Sequence, residues 1–258
     1  MREHKRLNFT KYMQVGVDKL SGLPQGSRIL DMPAGSARVT DALREKGYRV
    51  TSADINAYRD DYVYADMNRT LPFADQSFDG AICLEGIEHT LQPNVLISEL
   101  IRVTRVGGRI VLSTPNIMNM YSRLQFLATG TFHQFEPAVM PIVQRGEMAD
   151  RFHIAPLTFH TMRYQADYFG AKVVDVAGDT AKKRWLMPFY LAVLAIGWPW
   201  RKKAYQGVND EQRLARNAEI ERYAQSWSAL LSRSIIMVFE KVRHESSILD
   251  EITGPAPA

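Results

Sequence analysis

The feature that most constrains this chain is an alternation of short apolar runs with helical stretches, in which the runs repeatedly end at an aspartate. Arg28 to Met32 is apolar around Asp31 and stops at Pro33 and Gly35, Tyr48 to Ala53 ends at Asp54, and Tyr62 to Ala65 ends at Asp66. Thr40 to Lys46 has helical spacing closed by Gly47. A fourth run, Phe78 to Leu84, precedes a helical stretch at 93–105 that stops at Gly107-Gly108, and a fifth, Arg109 to Ser113, ends before Pro115. Such alternation predicts a parallel sheet with helices on both faces, because parallel strands need crossovers and the crossovers cover the sheet. Ligands of such sheets bind at the carboxyl ends of the strands, which gathers Asp31, Asp54 and Asp66 along one edge.

Further along, residues 116–155 are irregular and rich in Met, Phe, Gln and Pro, which suggests a lid over the strand ends. Regular patterning returns with a helix at about 157–169, a strand from Ala171 to Val176 and a last strand from Ser234 to Lys241. A leading helix is expected at 7–20. Residues 1–244 then form a single domain with seven strands and an insertion at about 180–230, followed by a disordered tail at 245–258. The N-terminus has no apolar run after its charges, so the expected location is cytoplasmic. Cys83, the one cysteine, sits in an apolar run and reads as core. The net charge of +4 suits a nucleic acid, an anionic membrane or a phosphorylated substrate, and selects none of them.

The first turn, Asp31-Met-Pro-Ala-Gly35-Ser-Ala37, puts a small residue where the backbone must approach a ligand and opens a helix whose N-terminus faces it. Asp54 follows at the end of the second strand, where a carboxylate can accept both hydroxyls of an unphosphorylated ribose. ILDMPAGSA, SADIN, Ala65-Asp66-Met67 and LPFADQSFD, in that order, resemble class I S-adenosylmethionine (SAM)-dependent methyltransferases over roughly residues 25–120. The resemblance implies a Rossmann-like, mostly parallel seven-stranded sheet with an apolar insertion before the last strand. It also implies cofactor contacts from Asp31, Pro33, Ala34, Gly35, Asp54, Ile55, Asp66, Met67 and Glu85, with ribose on Asp54 and adenine near Asp66-Met67. Pro33 and Ala37 stand where members usually carry glycine. The competing readings are a nicotinamide-binding domain, which normally shows more glycine in the first turn, and a SAM-binding scaffold that recruits a partner through the insertion.

After the fourth strand, Glu85, Glu88 and His89 have i, i+3, i+4 spacing, which predicts one face of a helix. Two carboxylates and an imidazole suit Mg²⁺, Mn²⁺ or Zn²⁺. The E-x-x-E-H pattern is similar to that of ubiquinone-pathway O-methyltransferases and of 3′-terminal 2′-O-methyltransferases of small RNAs. That resemblance implies metal ligation by Glu85, Glu88 and His89, with His153 as a further ligand and His133 as the second candidate. Other methyltransferases carry an E-H pair without metal, and there the histidine is a general base, so His89 is the expected catalytic residue. The donor is an activated sulfonium, leaving the protein to align an acceptor oxygen and help remove its proton.

The insertion holds a stretch, Trp185 to Trp200, that is apolar throughout, with Lys182-Lys183-Arg184 before it and Arg201-Lys202-Lys203 after it. Broken by Pro188 and Pro199, it falls short of the roughly 20 residues of a membrane span. Tryptophans at its ends and basic residues beyond suit the membrane interface, while a buried helix or an oligomer contact is the other reading. STPNIMNMYSRLQFLATGTF and FHIAPLTFHTMRYQADYFGAKVV resemble methyltransferases of bacterial surface-polysaccharide and glycolipid biosynthesis. The combined expectation is O-methylation of a sugar hydroxyl on a lipid-linked or membrane-proximal glycan, by a protein peripheral to the inner membrane face. A polyprenylated phenol of quinone biosynthesis is the second acceptor. No basic stripe interleaved with aromatics lies outside the insertion, so nucleic acid is not an expected partner.

Overall fold

A computed structural model describes residues 9–56, 59–137 and 152–243. The strands are β1 (Arg28–Asp31), β2 (Arg49–Asp54), β3 (Val63–Tyr64), β4 (Phe78–Leu84), β5 (Thr104–Pro115), β6 (Ala171–Gly178) and β7 (Ser234–Lys241). They form one sheet in the order β3-β2-β1-β4-β5-β7-β6, parallel except that β7 runs antiparallel between β5 and β6. Strand order reverses between β1 and β4, which opens the crevice where doubly wound sheets bind ligands.

The central strand shows how residue alternation builds the core. On β4, Ala81 and Cys83 join a cluster with Leu100 and Ile101 of α3 (Pro93–Val103) and Met162 of α5 (Phe159–Tyr168). The intervening Ile82 and Leu84 join Val17 of α1 (Lys11–Lys19) and Leu43 of α2 (Arg38–Glu45) on the opposite face. A strand buried on both faces needs apolar residues at successive positions, which is why β4 reads as a continuous run. Cys83 is fully buried, as expected.

The LPF segment is fastened to α3. Glu99 accepts from the Leu71 amide at 2.7 Å, and Arg102 donates to the carbonyls of Leu71 and Phe73 and to the carboxylates of Glu99 and Asp75. The chain between β3 and β4 is thereby held without secondary structure of its own.

The structure differs from the sequence reading in several places. β5 begins at Thr104, five residues early, because the strand runs on through Gly107 and Gly108. The irregular stretch after β5 contains α4 (Met120–Thr129), capped by Asn119, whose side chain accepts from the Ser122 amide. The insertion folds as a 3-10 turn (Arg184–Leu186) and four helices, α6 (Met187–Ile196), α7 (Trp198–Gln206), α8 (Glu211–Ala224) and α9 (Trp227–Leu231). The leading helix starts at Lys11; residues 7–8, residues 138–151 of the expected lid and the tail at 245–258 lie outside the described residues. Among the described residues, no helix is long and apolar enough to cross a membrane.

Candidate functional site

The carboxyl edge of the sheet brings the strand-end acids together, each held by local geometry. Gly35 (φ +50°) lets the first loop turn back, so that its amide donates to Asp54 Oδ2 at 2.9 Å while the Asn56 amide donates to Oδ1. The loop after β1 and the end of β2 are thus one hydrogen-bonded unit. Each Asp54 oxygen retains a further acceptor direction, which a ribose diol can use. The Tyr62 hydroxyl donates to the Gly35 carbonyl at 2.8 Å and fixes the same loop from the β3 side. Ala37 adopts a left-handed φ of +61°, which accounts for glycine being usual at that position. Pro33 follows a cis Met32–Pro33 peptide, Ala34 donates to the Ala53 carbonyl, and Ile55 is half-buried beside Asp54.

Asp31 is buried beneath this loop. Thr40 Oγ1 donates to it at 2.6 Å and lies 2.9 Å from Ser52 Oγ, and burial pushes its pKa up to about 7. Its oxygens face the protein interior, which makes it a support for the loop. Asp66 accepts from the amide and side chain of Asn68, and Met67 packs partly against the large core cluster. The Asn68 side-chain oxygen accepts from the Leu91 amide, so the segment after β3 is tied to the one before α3.

The groups after β4 separate into two sets, which changes the expectation of a single helical face. Glu85 has φ +49° and precedes a 3-10 turn (Ile87–His89), so it is not on the same helical surface as Glu88 and His89. It faces Ser113, whose hydroxyl donates to Oε1 at 3.2 Å, and Arg233, 3.7 Å from Oε2; burial raises its pKa to about 7 against the influence of Arg233. Glu88, His89 and His153 instead present ligand atoms within 4.8 Å of one another. Glu88 is fully buried and both of its carboxylate oxygens lack a hydrogen bond; burial, then the charge on Glu85, raises its pKa well above the ordinary range. The His153 Nδ1–H donates to the Gln134 carbonyl at 2.7 Å, which leaves Nε2 as the lone-pair nitrogen, and its ring lies edge-on to His89. The amides of Ile154 and Ala155 donate to the Glu88 carbonyl, fixing the distant His153 segment onto the turn. His133 lies elsewhere, its ring against Tyr121 and its amide on Ser122.

Sequence reasoning missed Tyr62, Thr40, Ser52 and Arg233, because a hydroxyl or a lone arginine carries no spacing signal. Arg233 precedes β7, whose antiparallel course brings its first residues to the same edge as Glu85 and Pro115.

The fold is the Rossmann-like class I methyltransferase fold, and residues 30–112 match the family model described as methyltransferase domain. A SAM-dependent methyltransferase from Archaeoglobus fulgidus superposes with a TM-score of 0.53 at 16% identity, covering 89% of this chain and 94% of that one. The Burkholderia thailandensis 1,6-didemethyltoxoflavin-N1-methyltransferase, solved with 1,6-didemethyltoxoflavin and S-adenosylhomocysteine bound, superposes with a TM-score of 0.50 at 14% identity, over 90% and 78% of the two chains. A demethylmenaquinone methyltransferase of Clavibacter sepedonicus is 35% identical over 108 residues, 36% of this chain and 44% of the relative. The match thus spans less than half of that relative's length. The matched segment, residues 30–112, is thus similar to methyltransferase domains and carries the strand-end acids of β1 and β2.

Proposed function

We propose that this protein transfers the methyl group of SAM to a quinone-type ring acceptor. The observation that carries the cofactor half is the bond from the Gly35 amide to Asp54, which sets a close-approach loop and a ribose-accepting carboxylate side by side at the switch crevice. In this reading Gly35 and Ala34 approach the methionine part of SAM, Asp54 and Ile55 hold the ribose, Asp66 and Met67 border the adenine, and Glu85 lines the methionine end with Arg233. The acceptor half rests on likeness to relatives named demethylmenaquinone methyltransferases, which favours a quinone precursor over the sugar hydroxyl that the sequence suggested. The methyl passes from the sulfonium to the acceptor, S-adenosylhomocysteine departs, and the acceptor's proton goes to a base at the edge, His89 when no metal is bound.

Glu88, His89 and His153 fit a divalent cation. An orphaned buried carboxylate and an imidazole fixed as an Nε2 donor are what a ligand set needs, and two imidazoles with one carboxylate suit Zn²⁺ more than Mg²⁺. Such an ion would supply Lewis-acid polarisation of an acceptor oxygen.

The test is transfer of labelled methyl from SAM to three acceptors presented in vesicles: a reduced demethylmenaquinone, a polyprenylated phenol and a lipid-linked glycan. Labelling of either ring acceptor supports the proposal. Labelling confined to the glycan replaces the acceptor, and SAM binding without transfer to any of the three points to a scaffold.

A further inference from the structure

α6 is apolar on every side, MPFYLAVLAI, yet Tyr190 is its one buried residue. A helix apolar all round belongs in a protein core or in lipid, and this one meets a small buried cluster along one side only. Leu186, Met187, Val193 and Leu194 pack inward with Tyr190 against Met120 of α4 and against Leu230 and Leu231 of α9. The rest of α6 is bare, with Phe189 50% exposed, Leu191 49% and Ile196 69%, and so are Trp185 (76%) just before it and Trp198 (56%) and Trp200 (71%) on α7. An apolar patch of this kind marks an interaction surface.

Charge identifies the occupant. From residue 180 to residue 209 the sequence has six Lys or Arg and no Asp or Glu. Lys183, Arg184, Lys202 and Lys203 are exposed at the two ends of the apolar patch; Arg201 bonds to Glu221, and Lys202 lies over the Trp198 ring at 5.4 Å. A second copy docking by the same face would oppose one basic rim to another. An anionic bilayer surface complements the rim, takes the tryptophans at headgroup depth and accepts aliphatic side chains below them. At ten residues, α6 is about 15 Å long, half the hydrocarbon thickness, so it lies in the interface without crossing it.

Position adds a third argument. The insertion leaves the sheet at the carboxyl end of β6, with the Lys182 amide donating to the Leu231 carbonyl, and α4, which supports α6, follows directly from the carboxyl end of β5. The apolar face is therefore built on the edge of the sheet that carries Asp54 and Glu88. We propose that Trp185 to Trp200, with the flanking basic residues, is an interfacial anchor that seats this edge on an anionic membrane. The proposal stands independently of the acceptor's identity.

The test is flotation of the purified full chain with phosphatidylcholine vesicles, with and without phosphatidylglycerol, beside the variant W185A/W198A/W200A and the variant K183Q/R184Q/K202Q/K203Q. S-adenosylhomocysteine binding and thermal unfolding serve as controls that both variants fold. The expected result is flotation that requires phosphatidylglycerol and is abolished in the tryptophan variant. The charge variant should bind weaker by about fivefold per basic residue removed. Failure of the native chain to float with anionic vesicles overturns the proposal, as does a concentration-dependent dimer that the tryptophan variant dissolves.

Discussion

Gly86 lies directly against Pro33: a Cβ at position 86 would stand 2.4 Å from Pro33 Cδ and 2.7 Å from Cγ. The contact joins the loop after β4 to the loop after β1, the two rims of the switch crevice. Pro33 replaces the glycine usual in the resembled family, and the missing side chain of Gly86 makes the room for it. Gly86→Ala must displace one rim, with an expected loss of about 1–3 kcal/mol of stability and about tenfold or more in S-adenosylhomocysteine affinity. Adding Pro33→Gly to that variant should restore most of the affinity, which a calorimetric double-mutant cycle measures.

Burial raises the Asp31 pKa from 3.8 to about 7, so the folded chain keeps a proton that the unfolded chain has released between those values. Stability from this group is fully present below the unfolded value and is lost as pH rises toward 7, at a slope of at most about 1.4 kcal/mol per pH unit. Asp31→Asn should flatten the decline between pH 5 and 7 in urea unfolding. An unchanged slope would show that Asp31 is ionised in the fold.

Arg102 neutralises the buried Glu99 and holds the Leu71 and Phe73 carbonyls. Arg102→Ala leaves that carboxylate buried without its partner, with an expected cost of about 3–5 kcal/mol in denaturant unfolding. Arg69→Ala, on an exposed side chain 3.6 Å from Asp66, should cost less than about 1 kcal/mol.

Zinc content after purification in zinc-containing buffer should approach one ion per chain. Glu88→Gln and His153→Ala should each reduce it about tenfold or more while S-adenosylhomocysteine binding is retained, since neither residue lies in the loop after β1 that carries Gly35 or at the end of β2 that carries Asp54. Glu85→Gln should leave zinc content unchanged, because Glu85 faces Ser113 and Arg233.

Much of the parallel sheet was legible because β2, buried only over its last three residues, is marked by the aspartate that ends it, while β1 and β4 are buried enough to force apolar runs. β7 reads as a strand from Ser234 to Lys241 for the same reason. The helical reading of Glu85, Glu88 and His89 failed on one dihedral: the positive φ of Glu85 breaks the spacing, and no residue type signals it. His153 was legible as a chemical type, but its approach to Glu88 depends on main-chain bonds across 65 residues. α4 was hidden because it packs largely through Met120 and Ser122, too few buried positions to give a periodic stripe.

The central claim is that Asp54 and the Gly35 loop hold the adenosyl cofactor, and calorimetric titration of the chain and of Asp54→Ala with S-adenosylhomocysteine tests it most directly. The account expects micromolar binding by the native chain, weakened about a hundredfold in the folded variant through loss of charge-assisted hydrogen bonds to the ribose. Equal affinity in the two proteins, or no binding by the native chain, would contradict it.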